Sequence, residues 1–254
     1  MQEDLNVRVS DLIQGEPAMR KFLILACLTV PATAALAGTW TPPEGCQAFM
    51  TVQSKACRVS HYYRCSGDAP GDQWRVDLDQ EGPFFHSRID YEAQWVESYD
   101  PVRQVLDPAP ADPASFSELL AEGMDTWDFT LSRADGAGSR ATGYDRLTGR
   151  TVVIDGITLS ETEVQFTEYD RSGRMLRQSR GNEFLHPEWR LFFAGPGETD
   201  LGDGIWRPID GSPVEFVFPG EEGFLARQPK YDCDALTADA GPATNEILPA
   251  SFEE

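Results

Sequence analysis

The sequence predicts a mainly β protein in which an antiparallel meander forms a curved open barrel with one short covering helix. Three observations predict this fold. Apolar and polar residues alternate with a period of two, turn sequences separate these runs, and strands do not alternate with helices. Such alternation is typical of antiparallel strands with one buried face, and strands adjacent in sequence usually pair. A sheet with one apolar face must curl or be covered, so a two-sheet sandwich is the alternative.

The first alternating runs lie between residues 73 and 95. Trp74, Val76 and Leu78 share one face of the run over 73–80. The next run keeps the period of two, so we expect one continuous strand with charged residues on its opposite face. Its predicted inward residues are Phe85, Ile89, Tyr91, Ala93 and Trp95.

A short helix is predicted after the stiff connector at 107–111. Two starts fit the sequence: Asp112 followed by Pro113, or a capping box made by Ser115 and Glu118. The residues that then follow helical spacing form an apolar face, which we expect to cover the sheet. They are Phe116, Leu119, Leu120 and Met124.

Strands resume at Thr126, where Trp127, Phe129 and Leu131 alternate with polar residues. Further along, Asp155-Gly156 separates two apolar runs, and this dipeptide is the strongest short-range signal of a hairpin. Two more turns are expected at 171–173 and 210–212. The second of these is flanked by the runs 205–207 and 214–218.

Residues 19–37 have the order of a cleavable secretory signal. Arg20 and Lys21 precede the apolar run 22–30, and Ala35-Leu36-Ala37 supplies the small residues of a cleavage site. This run is shorter than the roughly 20 residues of a membrane span. We therefore expect a soluble periplasmic or secreted protein, with no transmembrane segment in the mature chain.

Cleavage after Ala37 divides the chain into four parts. Residues 1–18 are expected to be a non-native upstream extension, with Met19 as the natural start, and a longer leader is the alternative. Residues 38–234 form a single β-rich domain, and 235–254 form a flexible acidic tail. Lipid attachment at Cys27 is a weaker alternative, because the apolar run continues past it.

The composition excludes some partners. The chain has 42 Asp and Glu against 21 Lys and Arg, for a formal charge of −21. Nucleic-acid binding relies on cationic side chains that neutralise phosphates, so it is not expected, and an anionic membrane surface is disfavoured for the same reason. A hydrophobic content of 41% suits a globular protein.

Cys46, Cys57, Cys65 and Cys233 remain after signal removal, and an even count in an exported chain predicts two disulfides. Residues 57–65 resemble one strand of roughly 26 Å, whereas disulfide Cα atoms lie about 6 Å apart. Cys57 and Cys65 should therefore not pair unless the chain turns back, and Cys233 must join one of the three early cysteines. We favour Cys46–Cys57 and Cys65–Cys233.

Aromatic residues on the predicted strands are candidates for the wall of a ligand cavity. The candidate ligand-binding residues are Trp74, Tyr91, Trp95, Trp127, Phe129 and His61. We expect the tryptophans on alternating strands to face inward with Tyr91, Phe129 and Phe216. Packing in an ordinary core is the alternative for all of them, and His61 shares a face with Val59 and Tyr63.

No motif establishes catalysis. The chain lacks the GxSxG of a serine nucleophile, a complete phosphate loop, and CxxC or HxxxH metal spacing, so no metal or cofactor is predicted. Three carboxylate pairs two residues apart are the basis of a hydrolase alternative, although an acidic composition also produces them. They are Asp77 with Asp79, Asp90 with Glu92, and Glu161 with Glu163.

Arg174, Arg177 and Arg180 form the main basic concentration, together with Arg171. They are a candidate anion or partner site. The alternative is pairing with nearby acids, where each exposed pair contributes less than about 1 kcal/mol.

Three functions remain open at this point. The favoured hypothesis is a non-enzymatic exported protein that binds an apolar small molecule or an envelope component. The second is a hydrolase that uses a carboxylate pair, and the third is a structural or interaction module without a small ligand. A fold alone does not choose between them.

Overall fold

The computed structural model describes residues 38–99 and 102–234; the predicted signal, upstream extension and acidic tail lie outside these ranges. The strands are β1 (Cys46–Ser54), β2 (Arg58–Cys65), β3 (Gln73–Leu78), β4 (Pro83–Ile89), β5 (Trp95–Tyr99), β6 (Arg103–Leu106), β7 (Met124–Ser132), β8 (Gly138–Ile154), β9 (Ile157–Asp170), β10 (Met175–His186), β11 (Leu191–Asp200), β12 (Arg207–Asp210) and β13 (Pro213–Val217). The helix α1 (Phe116–Glu122) stands between β6 and β7.

These strands form one open antiparallel sheet, which confirms the predicted curved meander. Its order runs from β12 back to β1 in reverse sequence order, and β13 adds beside β1. The sandwich alternative is wrong, because a single sheet contains all thirteen strands. Register shifts, such as those at Gln53/Ser54 and Leu147/Thr151, add local bend and twist that help the sheet to curl.

The turn at 210–212 joins the two ends of this sheet instead of forming a hairpin. β12 pairs with β11, whereas β13 pairs with β1. Contacts from the other end of the sheet hold the link in place: Lys55 binds Asp210 at 2.6 Å, and Arg58 Nη2 donates to the Gly211 carbonyl at 3.1 Å. These long-range contacts override the local tendency of neighbouring strands to pair.

The hairpin predicted at Asp155-Gly156 is confirmed. Asp155 and Gly156 have φ values of 48° and 77°, the left-handed region that a two-residue hairpin turn requires. Asp155 has a second role, since its Oδ2 accepts the Phe216 backbone N–H at 2.8 Å. The hairpin tip therefore covers a donor on the open edge of β13.

The long strand predicted over 85–95 is wrong. β4 ends at Ile89, and a turn precedes β5 at Trp95. Asp90 makes this turn, because its Oδ1 accepts the backbone N–H groups of Glu92 at 2.8 Å and Gln94 at 3.1 Å. Tyr91 therefore does not share an inward face with the strand residues, and it is 54% exposed.

The predicted helix is present and starts at the capping box. Ser115 is the N-cap, and its hydroxyl oxygen accepts the Glu118 N–H at 3.1 Å, so the Asp112 start is wrong. Phe116 and Leu119 pack against Leu185 of the sheet, as expected for a cover. The other two residues of the predicted apolar face do not take part: Leu120 is exposed, and Met124 opens β7.

The first strands are covered on both faces. Met50, Val52 and Tyr62 pack in the largest apolar cluster, whereas the neighbouring Tyr63 belongs to a second cluster on the opposite face. Segments from both ends of the domain complete this second cluster through Trp40, Phe224 and Leu225. Polar residues of β1 are buried as a result.

The favoured disulfide pairing is wrong, although two disulfides do form. Cys46 pairs with Cys65, and Cys57 pairs with Cys233. Cys46 and Cys65 lie directly opposite each other in the β1–β2 register, and Cys57 lies in the turn between these strands. The two expectations that Cys57 and Cys65 do not pair and that Cys233 joins an early cysteine are confirmed.

The Cys57–Cys233 disulfide should dominate the stability that the two cross-links provide. It closes a separation of 176 positions, against 19 for Cys46–Cys65. Chain entropy then predicts losses of about 5 and about 3 kcal/mol in the free energy of unfolding when each pair is replaced by alanine. Urea unfolding of the two double variants measures this, and a larger loss for the Cys46/Cys65 variant would contradict the prediction.

Candidate functional site

The predicted ligand-binding residues fall into three places: Trp95, Trp127 and Phe129 lie together, Trp74 and His61 belong to a second cluster, and Tyr91 stands apart. Tyr91 packs its ring beneath the guanidinium of Arg190, whose Cζ is 3.9 Å from the ring centroid. This contact fixes a surface turn.

The first group gains a fourth member and forms a closed cycle of rings. Trp95 lies 6.1 Å from Phe129 and 6.0 Å from Phe166, measured between ring centroids. Trp127 lies 6.0 Å from Phe129 and 5.8 Å from Phe166. We call these four residues the aromatic box. Trp127 and Phe129 are buried, whereas Trp95 and Phe166 are only partly buried.

The register of three strands builds the aromatic box. Trp127 of β7 is opposite Gly143 of β8, and Gly143 is opposite Phe166 of β9. A Cβ atom at Gly143 would lie 2.3 Å from Trp127 Cη2, so the indole occupies the space that any other residue would fill. A glycine inside a predicted strand can mark a place where another group packs closely against the backbone, so Gly143 was the sequence signal for the Trp127 contact. The sequence did not show that β9 pairs with β8, and Phe166 was therefore not predicted as a member of this aromatic group.

A small cavity adjoins the aromatic box through Trp95. Its volume is about 70 Å³. A cavity of roughly 150 Å³ accommodates benzene, so this one takes a group of only a few atoms. Its lining residues are Tyr62, Gln73, Trp74, Arg75, Ser87, Ile89, Ala93, Trp95, Leu191 and Phe192.

Asp145 lies beside the aromatic box with an incomplete set of partners. Its Oδ2 accepts the indole N–H of Trp127 at 3.2 Å, and the residue is only 8% exposed. Its Oδ1 is buried without a hydrogen-bond partner among residues 38–99 and 102–234. Burial raises the pKa of Asp145 above the usual range of a carboxyl group.

Two more carboxyl groups, those of Asp125 and Glu183, lie near Asp145. Asp125 is its direct cross-strand neighbour and accepts the Ser115 N–H at 2.9 Å, and burial raises the pKa of Asp125 to about 6. Glu183 of β10 also has a raised pKa, first because of burial and then because of the charge of Asp145. Perturbed acids of this kind cluster at functional sites, so the sheet holds a candidate site here.

The carboxylate pairs predicted from sequence serve structural roles instead. Asp77 accepts from Ser60 at 2.7 Å and binds Arg75 at 3.2 Å. The other members cap turns or bind arginines: Asp79 and Asp90 accept backbone N–H groups, Glu92 binds Arg190, Glu161 binds Arg150, and Glu163 binds Arg146. None of these pairs is the acid cluster beside the aromatic box.

The arginine candidates also have partners within the chain. Arg174 binds Asp170 at 3.0 Å, Arg177 binds Glu168 at 2.6 Å, and Arg180 binds Glu198 at 2.8 Å. Each positive charge thus faces a carboxylate, which favours the intramolecular alternative over an anion site.

The second aromatic cluster is a packed ladder on one face of β2–β5. Its members are Trp40, His61, Tyr63, Trp74, His86 and Tyr99. Tyr63 hydrogen-bonds to His86, and Trp74 donates its indole N–H to Asp68 at 2.7 Å.

His61 fixes the C-terminal segment to this ladder. The Thr51 hydroxyl accepts the Leu225 N–H at 2.9 Å and is hydrogen-bonded to Nδ1 of His61 at 2.9 Å. Among the described residues, Nε2 of His61 is buried without a hydrogen-bond partner. The ring stacks on Trp40 at 5.0 Å and is fully buried, so its placement favours core packing over ligand contact.

In comparisons with known proteins, no family model, curated protein sequence or solved structure matches the chain. No helix of the described residues is long and apolar enough to cross a membrane. Within residues 38–99 and 102–234, no three His, Cys, Asp or Glu side chains converge as metal ligands.

His61 should remain neutral in the folded protein well below pH 6. Burial lowers the pKa of His61 from 6.5 to about 4. The unfolded chain takes up a proton below pH 6.5 that folded His61 does not, so stability falls by about 3 kcal/mol as the pH drops from 6.5 to 4. NMR titration of the imidazole nitrogens measures both tautomer and pKa; protonation near pH 6.5 would contradict the prediction.

Asp145→Asn should stabilise the protein at pH 8. The folded-state pKa of Asp145 is raised, so its contribution to stability is present at pH 4 and is lost as the pH rises through the folded pKa. Removing the charge should increase the free energy of unfolding by about 1–3 kcal/mol at pH 8, and by much less at pH 4. Urea unfolding at both pH values tests this. The idea fails if the variant is less stable at pH 8.

Proposed function

We propose that this chain is an exported, non-enzymatic protein that binds an apolar small molecule, or the apolar part of an envelope component, at the aromatic box. The observation that carries the proposal is the closed cycle of four rings, two of which keep partly exposed apolar surface. Aromatic walls with a few polar groups are typical of small-molecule sites.

The proposed export is supported by the cysteines. Two disulfides cross-link the domain, and structural disulfides are rare in a reducing cytosol. They are compatible with the leader predicted at residues 19–37.

The adjoining cavity limits what can bind without rearrangement. Its 70 Å³ accept a few atoms, whereas drug-sized ligands occupy roughly 300–1,000 Å³. The proposed ligand is therefore small, or it inserts only one end between Trp95 and Phe192 while the rest lies outside.

Native mass spectrometry of protein isolated from its own compartment tests the proposal directly. We expect a co-purified molecule that organic solvent extracts and that returns when the extract is added back. Protein that carries no such molecule and takes up none from the extract would overturn the proposal.

Trp95→Ala should weaken binding of a neutral apolar probe, N-phenyl-1-naphthylamine, by about tenfold, since a buried aromatic contact contributes a large part of apolar affinity. Trp206→Ala is the matched control, because Trp206 stacks on Arg180 near the edge of the sheet, outside the box. Fluorescence titration compares the variants. An equal loss of probe affinity in the two variants, or no loss in Trp95→Ala, would contradict the proposed site.

A further inference from the structure

We infer that the group of the ligand that enters the small cavity is a carboxylate, and that the guanidinium of Arg75 binds it. The inference rests on the proposed function and adds the chemical class of the ligand, an apolar monocarboxylic acid. The cavity receives the carboxylate, while Trp95, which lines the cavity and belongs to the aromatic box, contacts the apolar remainder.

The first support is a row of polar side chains that line the cavity. Arg75 of β3 lies directly opposite Tyr62 of β2 and Ser87 of β4, so the three side chains share one face of the sheet. All three line the cavity. A guanidinium and two hydroxyl groups are suitable hydrogen-bond donors for an oxygen that carries negative charge.

The second support is the absence of negative side chains from the lining. Of the ten described residues that line the cavity, none is an acid, and Arg75 is the charged one. Most of the others are apolar, among them Ile89, Leu191 and Phe192. A carboxylate in this cavity would therefore meet a cation and no carboxylate, whereas an ammonium group would be repelled by the guanidinium of Arg75.

The third support is the balance of charge next to the cavity. Arg58 and Arg75 share one carboxylate, that of Asp77, which lies 4.0 Å and 3.2 Å from them. Among the described residues, the Nε atoms of both arginines are buried without a hydrogen-bond partner. Glu183 adds little negative charge here, because burial raises its pKa and favours its neutral form. The two guanidinium groups therefore leave positive charge that a ligand carboxylate would neutralise.

The exposure and the size of the cavity suit the end of such an acid. The side chain of Arg75 is 32% exposed, and Trp95 and Phe192 are also partly exposed, whereas Tyr62 and Ser87 are buried. A volume of about 70 Å³ accepts the few heavy atoms of a carboxylate, whereas benzene needs roughly 150 Å³. The carboxylate can therefore enter, and the rest of the ligand must lie outside against Trp95.

Three probes of equal chain length separate charge from apolar contact: octanoate, octan-1-ol and octylammonium. Isothermal titration of the disulfide-bonded protein at pH 7, where a free carboxylic acid is ionised, gives the dissociation constant of each probe. We expect octanoate to bind about tenfold more tightly than octanol, and octylammonium to bind most weakly.

Arg75→Gln should remove the preference for octanoate while octanol binding is retained. Arg140→Gln is the matched control, because Arg140 also binds a carboxylate, that of Asp128, but is 56% exposed on β8 and does not line the cavity. It should keep the preference. Should Arg75→Gln not fold, Ser87→Ala tests the same cavity by removing one hydroxyl donor, and it should reduce the preference for octanoate over octanol about threefold.

The outcomes distinguish the two proposals. If octanoate binds no more tightly than octanol, the carboxylate inference is overturned and the apolar site remains. A preference for octylammonium, or a preference for octanoate that folded Arg75→Gln retains, also overturns it. If Arg75→Gln does not fold, an unchanged preference in Ser87→Ala has the same consequence. If none of the three probes binds, the proposed function itself fails.

Discussion

The register of β7, β8 and β9 is the constraint on which the site depends. Side chains alternate across a strand, so a slip of one residue would send Trp127 and Asp145 to the opposite face of the sheet. Gly143 is compatible with this register because it has no Cβ atom, which would lie 2.0 Å from the Gln165 carbonyl oxygen and 2.3 Å from Trp127 Cη2. The same register places Phe166 against the indole and completes the aromatic box.

Stability and binding make opposite demands on this part of the sheet. An apolar residue in place of Asp145 would avoid burying a carboxyl group with one unsatisfied oxygen. Glu97, elsewhere in the domain, is matched closely by Arg88 and Arg103. Burial raises the pKa of three neighbouring acids here, Asp125, Asp145 and Glu183, and such a concentration is the pattern expected where a protein sacrifices stability for function.

Local chemistry was predictable and long-range pairing was not. The turn at Asp155-Gly156 and the Ser115 cap follow from residues a few positions apart, and both are correct. The Asp90 turn was hidden because apolar residues on both sides happen to preserve a period of two. Strand neighbours decide which cysteines pair and bring Asp145 close to Glu183. The alternation of apolar and polar residues along a single strand does not show which strands will be neighbours.

The two-residue link between β12 and β13 also affects the order in which the strands of the sheet can pair during synthesis. β1 lies near the start of the domain, yet its second neighbour, β13, is the last strand of the sheet in chain order. The free edge of β1 must therefore stay unpaired until the twelve other strands have been synthesised, and an unpaired strand edge can recruit other chains in that interval. Cys57 likewise cannot form its disulfide until Cys233 has been synthesised. A protein truncated before β13 would therefore lack both this strand and the disulfide with the longer sequence separation.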